Sequence, residues 1–511
     1  MGAATGARLM PDALATRDPL RLLPDASRVI TQLFVPGHAL AGQREGRASG
    51  VVEHVLALDD AQVAAALEVV AARFEGRHAD LAGTFRKHAD RIVDRLVVGP
   101  EPSGDRRLLL GATFTHEYSV EAAALCNPSI VPAPDQSGTA DGELRFVMSV
   151  RQIGEGHRSS IGFRGGVVDR HGRVTVDPPG PFATTGAVTP GTLDAESFRS
   201  IPRHSDGDAV EWVLDGLRPT FTVDELAGRL AQLEAQSDVR RDVAETAASL
   251  REVAARTYDV RFDPSTTLGE RVLFPVTGAE SNGMEDARFL PFVDGDGTTT
   301  YVATYTAFDG RAITQQLLVT PDFASFAVSP LGGTAAANKG LALFPRLIGG
   351  RYYALSRHDG ATNAVASSDD IRRWSTVTPL DVPTEAWESL QVGNCGPPIE
   401  TVDGWLVLTH GVGAMRTYSI GALLLDLDDP TIVLGHTAQP LITPQPDEQD
   451  GYVPNVVYSC GGLRHGELLL VPFGIGDANV GFATLVISEV LAAMREPSPT
   501  TRSHHGSRAH A

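Results

Sequence analysis

The sequence predicts an all-β fold of the propeller type with helical additions, and three observations predict it. Short runs rich in β-branched and aromatic residues recur through the chain, bounded by Gly, Asp and Asn. They include RFVMSVRQIG (145–154), SSIGFRGGVVD (159–169), TTTYVATYTAF (298–308), RYYALSRHD (351–359), GWLVLTHGV (404–412) and ELLLVPFGIG (467–476). A faint echo links TPDFASFAV (320–328), SSDDIRRWSTV (367–377), LDLDDPTIVL (425–434) and ISEVLAAM (487–494), each placing a strand end, an acidic turn and an apolar residue in similar order. The repeat of about 50 residues suits one four-stranded propeller blade. Finally, two intervals show helical periodicity instead.

The first helical interval, from about Leu20 to Arg107, contains ALDDAQVAAALEVVAARF (57–74) and RHADLAGTFRKHADRIVDRLV (77–97). Asp59 and Asp60 stand where a helix dipole favours negative charge. Residues 1–107 therefore read as a mainly helical appendage that packs on the main domain or mediates homo-oligomer formation. Residues 108–494 read as the β-propeller domain, interrupted by a helical insertion at about 221–257, where Ala, Leu, Glu and Arg dominate. GEGHRSS (154–160) reads as a loop. The Ser-, His-, Pro- and Arg-rich stretch 495–511 is too polar to bury a core and reads as a disordered tail.

At 511 residues with a formal charge of −20, the chain can bury a large core and lacks the basic surface that nucleic acid or anionic membranes require. Any anionic ligand must be gathered locally. The opening MGAATGARLMPDALATRDPL has no continuous apolar segment, and no run of about 18 uncharged apolar residues follows. A soluble cytoplasmic protein is expected. Cys126, Cys395 and Cys460 lack metal-ligand spacing and an even count, so they read as buried thiols with no metal site and no disulfide framework. Walker, GxSxG and HExxH motifs are absent from the sequence.

The most informative motif is Gly283-Met284-Glu285-Asp286-Ala287-Arg288-Phe289, which sets two carboxylates and a guanidinium side by side. On its own it could be a solvated turn. Other blocks accompany it: YTAFDGR (305–311), KGLALFPR (339–346), ALSRHDG (354–360), WESLQVGNCGPPIET (387–401), Tyr418 with GALLLDLDDP (421–430), GYVPNVVYSCGG (451–462) and FGIGD (473–477). From about Asn127 to Met494 the chain thereby resembles glycoside hydrolase family 130, whose members act on β-mannosides and carry Glu-Asp-Pro-Arg where this chain has Ala287. The resemblance implies a five-bladed β-propeller.

It also implies roles. Asp286 corresponds to the catalytic acid, which in the family's phosphorylases passes its proton through a hydroxyl of the bound mannose. Glu285 raises the pKa of Asp286 by like-charge repulsion and Arg288 lowers it, opposing effects whose balance depends on geometry. Lys339, Arg357, His410 and Tyr418 correspond to phosphate-facing residues, and Asn127, Ser129, Arg151, Glu285, Arg288, Gln391 and Asp477 to substrate-binding positions. Lys339 offers a point charge where the family has a forked arginine, and Gln391 stands where many phosphorylases have lysine.

The expected activity is inverting phosphorolysis of β-1,2- or β-1,4-linked mannosides to α-mannose 1-phosphate and a shortened acceptor. Inorganic phosphate is the co-substrate and no cofactor is expected. Two alternatives stay open: a β-mannosidase that uses water, and a non-catalytic glycan-binding propeller.

Overall fold

In the computed structural model, residues 14–36, 46–96, 100–200, 207–236, 241–380 and 385–495 are described. Apart from Arg495, the expected tail 495–511 lies outside them. The chain divides into two compact units.

The smaller unit, residues 25–122 with 180–185, carries four helices, Gly46–Ala57, Asp60–Phe74, Leu81–Leu96 and Gly104–Thr113, beside the paired strands Val29–Leu33 and Thr115–Ser119. Asp59 caps the second helix: its carboxylate accepts the Gln62 amide at 2.8 Å while the Gln62 side chain accepts the Asp59 amide at 2.9 Å. Val52, Val55, Val63, Ile92, Leu110 and Phe114 form its core. Gly111 permits a close helix crossing, since a Cβ there would lie 1.9 Å from the Phe85 carbonyl oxygen.

The larger unit is predominantly β. Its strands form five antiparallel meanders in chain order. The first runs Ala124–Pro132, Leu144–Ile153, Ser159–Val168, Val174–Val176, and the second Gly283–Val293, Thr299–Phe308, Ile313–Thr320, Ser325–Pro330. A parallel bridge between Gly283 and Ser159 joins these two. The third comprises Ala342–Leu343, Tyr352–Ser356, Ala364–Ser368 and Thr376–Pro379, and the fourth Gln391–Asn394, Trp405–Val412, Tyr418–Leu425 and Val433–Thr437. The fifth combines Val457–Tyr458, Leu468–Ile475 and Asn479–Val486 with the N-terminal strand Thr16–Leu22. Among the described residues these pairings close no sheet on itself, so strand pairing alone does not establish the five-bladed propeller that the resemblance implies.

Thr16–Leu22 lies inside the range read as mainly helical, yet it pairs with Asn479–Val486. Arg17 and Arg21 hold Glu448 at 2.5 and 2.9 Å. Alternating charges in TRDPLRL conceal a strand whose partner is more than 450 residues away. The helical insertion also begins earlier than about 221: Ala195–Ser200 and Gly207–Asp215 precede Val223–Gln236 and Arg241–Ala255, and all pack around Phe198, Val213, Leu214, Phe221, Leu230 and Leu250. The two extra helices are too short to establish a period in the sequence.

Inner strands such as Trp405–Val412 are buried along their whole length, which explains their nearly unbroken apolar runs. Polar residues within such strands are the exceptions, and they mark the site. The turn before Gly283 is pinned by fully buried Glu280, which accepts the Val276 and Thr277 amides and the Tyr258 hydroxyl. Cys126, Cys395 and Cys460 are buried free thiols. No described helix is long and apolar enough to cross a membrane.

Trp405 is fully buried, meets Phe344 edge-on at 5.2 Å and donates its indole N–H to the Leu427 carbonyl. Trp405→Ala is expected to destabilise the larger unit by about 3–5 kcal/mol. Denaturant unfolding of the full chain checks this; a loss below about 1 kcal/mol would contradict the packing described.

Candidate active site

Two β-bulges build the centre of the site. In Gly283–Val293 the pairing register slips between Glu285 and Arg288, and in Ala124–Pro132 it slips between Cys126 and Ser129. Asp286 sits on the first bulge at φ 55° and Asn127 on the second at φ 47°. Bulging re-aims a side chain out of the regular alternation. The two residues meet, the Asn127 amide donating to Asp286 Oδ1. Left-handed backbone is costly for non-glycine residues and collects at functional sites. Of the eight such residues described, Asn127, Asp286, Arg416 and Asp477 line one cavity.

Behind Asp286 lies a charge network. Glu285 is shared between Arg151 at 2.6 Å and Lys339 at 2.5 Å. Arg288, essentially inaccessible to solvent, donates to the Asp286 backbone carbonyl at 2.8 Å and to the Tyr458 hydroxyl at 2.9 Å, with Nη2 3.8 Å from the Asp286 carboxylate. Burial pushes the Asp286 pKa upward, but Arg288, Arg151, Lys339 and the Asn127 amide together outweigh it and hold the carboxyl below its ordinary value. The opposition between Glu285 and Arg288 is thus resolved in favour of the cations, because the charge of Glu285 is taken up by Arg151 and Lys339.

Opposite stand Arg357, His410 and Tyr418. Arg357 is buried; its Nη2 donates to the Gly360 carbonyl at 3.1 Å, and its Nε has no hydrogen-bond partner. Gly393 makes room for it, since a Cβ there would lie 2.4 Å from Arg357 Nε and 2.5 Å from His410 Cε1. Burial first, then Arg357 and Arg288, push the His410 pKa well below its usual value. In the neutral ring, Nδ1–H donates to the Asn394 carbonyl at 3.2 Å, which leaves Nε2 as an acceptor. The ring stacks on Tyr418 at 6.0 Å and meets Tyr458 edge-on at 4.9 Å.

These groups enclose a cavity of about 280 Å³, near the lower end of small-molecule sites. Of the residues singled out from the sequence, Asn127, Asp286, Lys339, Arg357, Gln391, His410, Tyr418 and Asp477 line it. Arg151, Glu285 and Arg288 stand behind the wall as the charge network. Ser129 is not on the wall: fully buried, it accepts the Phe289 amide at 3.0 Å and ties the two bulged strands together. Asn338, Arg416, Val453, Val456 and Tyr458 also line the cavity and were not anticipated. Tyr458 lay within the quoted block GYVPNVVYSCGG, and Arg416 is the lone cation two residues before Tyr418. The stretch read as a loop, 154–160, is a short helical turn at Glu155–His157 that leads into the strand Ser159–Val168, and His157 Nδ1 lies 2.7 Å from the Tyr452 hydroxyl.

Comparison with known proteins now bears on this geometry. A family model described as beta-1,4-mannooligosaccharide phosphorylase matches residues 255–496. A beta-1,2-mannobiose phosphorylase of Listeria innocua is 34% identical over 234 residues, covering 44% of this chain and 64% of the relative. A 1,2-beta-oligomannan phosphorylase of Thermoanaerobacter sp. is 33% identical over 227 residues, covering 44% of this chain and 75% of the relative.

The chain belongs to glycoside hydrolase family 130.

The family's phosphorylases are enzymes acting on mannosides. The match thus spans a little under two thirds of the Listeria relative's length. A solved structure of beta-1,2-mannobiose phosphorylase from Listeria innocua with beta-1,2-mannobiose aligns over 78% of this chain and 94% of that one, at TM-score 0.44 and 24% identity. That likeness is too distant to add to the assignment. The family-130 match begins at residue 255, so the small unit and most of the helical insertion lie outside it.

Asp477, half-buried at φ 48°, has its carboxyl pKa pushed up to about 6: burial dominates, Arg151 opposes it, and the charge of Asp286 adds to it. The folded chain holds this proton to about pH 6, whereas the unfolded chain loses it near pH 4. Stability from this group is complete below pH 4 and is lost as pH rises to about 6. Asp477→Asn removes that dependence. Relative to wild type, the variant should gain about 2 kcal/mol between pH 4 and pH 7. Thermal unfolding across pH checks this, and a difference independent of pH would refute the perturbed carboxyl.

Proposed function

We propose that this chain is an inverting mannoside phosphorylase that transfers a β-linked mannosyl unit to inorganic phosphate, with its five meanders arranged as propeller blades around the cavity. The observation that carries the reading is one small cavity pairing a buried carboxylate, Asp286, with Lys339, Arg357 and Arg416. Phosphorolysis needs one acid and a cationic seat for the incoming anion, whereas inverting hydrolysis needs a second carboxylate to activate water. The relatives support the phosphate chemistry. Their names include both β-1,2 and β-1,4 linkages, so either mannoside is a candidate substrate.

In this reading a phosphate oxygen attacks the anomeric carbon from the cationic face, the bond to the acceptor oxygen breaks, and configuration inverts. Asp286 supplies the proton that the leaving oxygen takes up, by way of a mannosyl hydroxyl, and recovers one from monohydrogen phosphate. In the free protein Asp286 is held below its ordinary pKa. A phosphate dianion held in the cavity at Arg357 adds negative charge near Asp286 and raises the carboxyl pKa, so the co-substrate helps to protonate its own acid. His410 Nε2, an acceptor, suits the hydroxyl of monohydrogen phosphate. Asn127 and Asp477 face the sugar hydroxyls.

The second reading, hydrolysis, draws on Gln391, a neutral residue on the cavity wall, and on Asp477 as the second wall carboxylate. The experiment that decides is turnover of β-1,2- and β-1,4-mannobiose with and without phosphate. Mannose 1-phosphate formed only when phosphate is present is the expected result; free mannose released at the same rate without it would establish hydrolysis. Asp286→Asn should lower kcat about a thousandfold while phosphate still binds. A variant that keeps its rate would remove Asp286 from the chemistry, whereas a wild type that binds the mannosides but turns neither over would favour the glycan-binding role.

A further inference from the structure

The cations on the cavity wall differ in what they already hold. Lys339 is committed, its ammonium 2.5 Å from Glu285. Arg357 and Arg416 have no carboxylate within salt-bridge distance among the described residues. Arg416 sits on a tight turn closed by two backbone hydrogen bonds, Gly413 N–H to the Thr417 carbonyl at 3.0 Å and Thr417 N–H to the Ala414 carbonyl at 3.2 Å. Met415 and Arg416 are both left-handed, at φ 56° and 55°, and Met415 is 87% exposed. Two successive non-glycine residues in that region are costly, and such strain persists only where the surroundings impose it. The outcome is a guanidinium held 6.0 Å over the Tyr418 ring and lining the same cavity as Asp286.

We propose that Arg416 is a phosphate-binding residue, pairing with Arg357 as the second uncommitted cation of the cavity, while the ammonium of Lys339 chiefly serves Glu285. This rests on the phosphorylase reading and names a ligand contact for it. Lys339 is held by Glu285, and Arg357 is a single guanidinium facing a ligand that carries two negative charges. Arg416 makes up the difference, and its planar fork can meet two phosphate oxygens at once. Gln391, on a strand whose end pairs with Val412 near the start of this turn, offers the neutral wall position at which a cation could be restored.

The test is calorimetric titration of inorganic phosphate into the full chain, its Arg416→Ala and Arg416→Lys variants and the double variant Arg416→Ala/Gln391→Lys, alongside mannobiose kinetics. Arg416→Ala should weaken phosphate binding about tenfold, Arg416→Lys less, and the added lysine should recover most of the loss. The KM for phosphate should rise in step, by a clearly larger factor than the KM for mannobiose. Unchanged phosphate affinity in Arg416→Ala overturns the proposal. So does a selective rise in the mannobiose KM, which would assign the residue to the sugar. Wild type that binds phosphate yet releases mannose without it refutes the phosphorylase reading alone, and the affinity ratio still decides Arg416. Wild type with no phosphate affinity overturns both.

Discussion

The site depends on the contact between Asn127 and Asp286, made by two left-handed residues on the bulges of different strands. Neither residue would point into the cavity from a regular strand, because alternation would send its side chain into a packed face. Ser129, the Arg288 guanidinium and the Asp286 backbone carbonyl hold the bulges in place from behind. Ala287 stands inside this kink, and hydrogen bonds made by its neighbours hold it: Arg288 to the Asp286 carbonyl, and the Phe289 amide to Ser129.

Burying five charged groups in one cluster is expensive, and the cluster survives because almost every charge is matched. Glu285 takes two cations, and the Arg288 guanidinium donates to a carbonyl and a phenol beside its distant carboxylate, with Nε left unpartnered. The cluster has a net positive balance towards the cavity, and that imbalance depresses the Asp286 pKa. On the proposed reading, an anion entering this site reverses the field that holds Asp286 deprotonated. Stability and chemistry thus share one electrostatic arrangement.

Much of this was legible in the sequence. Inner strands announced themselves as β-branched runs, and Asp286, Arg357, His410 and Tyr418 stood in recognisable blocks that the fold brings to one cavity. What could not be read is instructive. The resemblance set Ser129 among the substrate-binding positions, but the bulge turns it back into the core. The sign of the Asp286 shift depends on Arg288 together with Arg151 and Lys339, and the last two lie more than 50 residues away in the chain. Thr16–Leu22 carried no helical or alternating apolar signal, and its identity as a strand comes from a partner at the opposite end of the chain.

Arg416 was missed for a different physical reason. A single arginine in an acidic protein has a default explanation, a surface ion pair, and its sequence neighbours give no ground to reject it. Only the conformation does. Consecutive left-handed residues turn the guanidinium over Tyr418, where no acid among the described residues lies within salt-bridge distance and only the field of Asp477 reaches it. An exposed cation held in a strained turn at the mouth of a cavity gains nothing for folding that a flexible side chain would not also provide. The arrangement is intelligible if the partner arrives with the ligand, so the orientation of Arg416 is better explained by what the cavity binds than by what the chain packs.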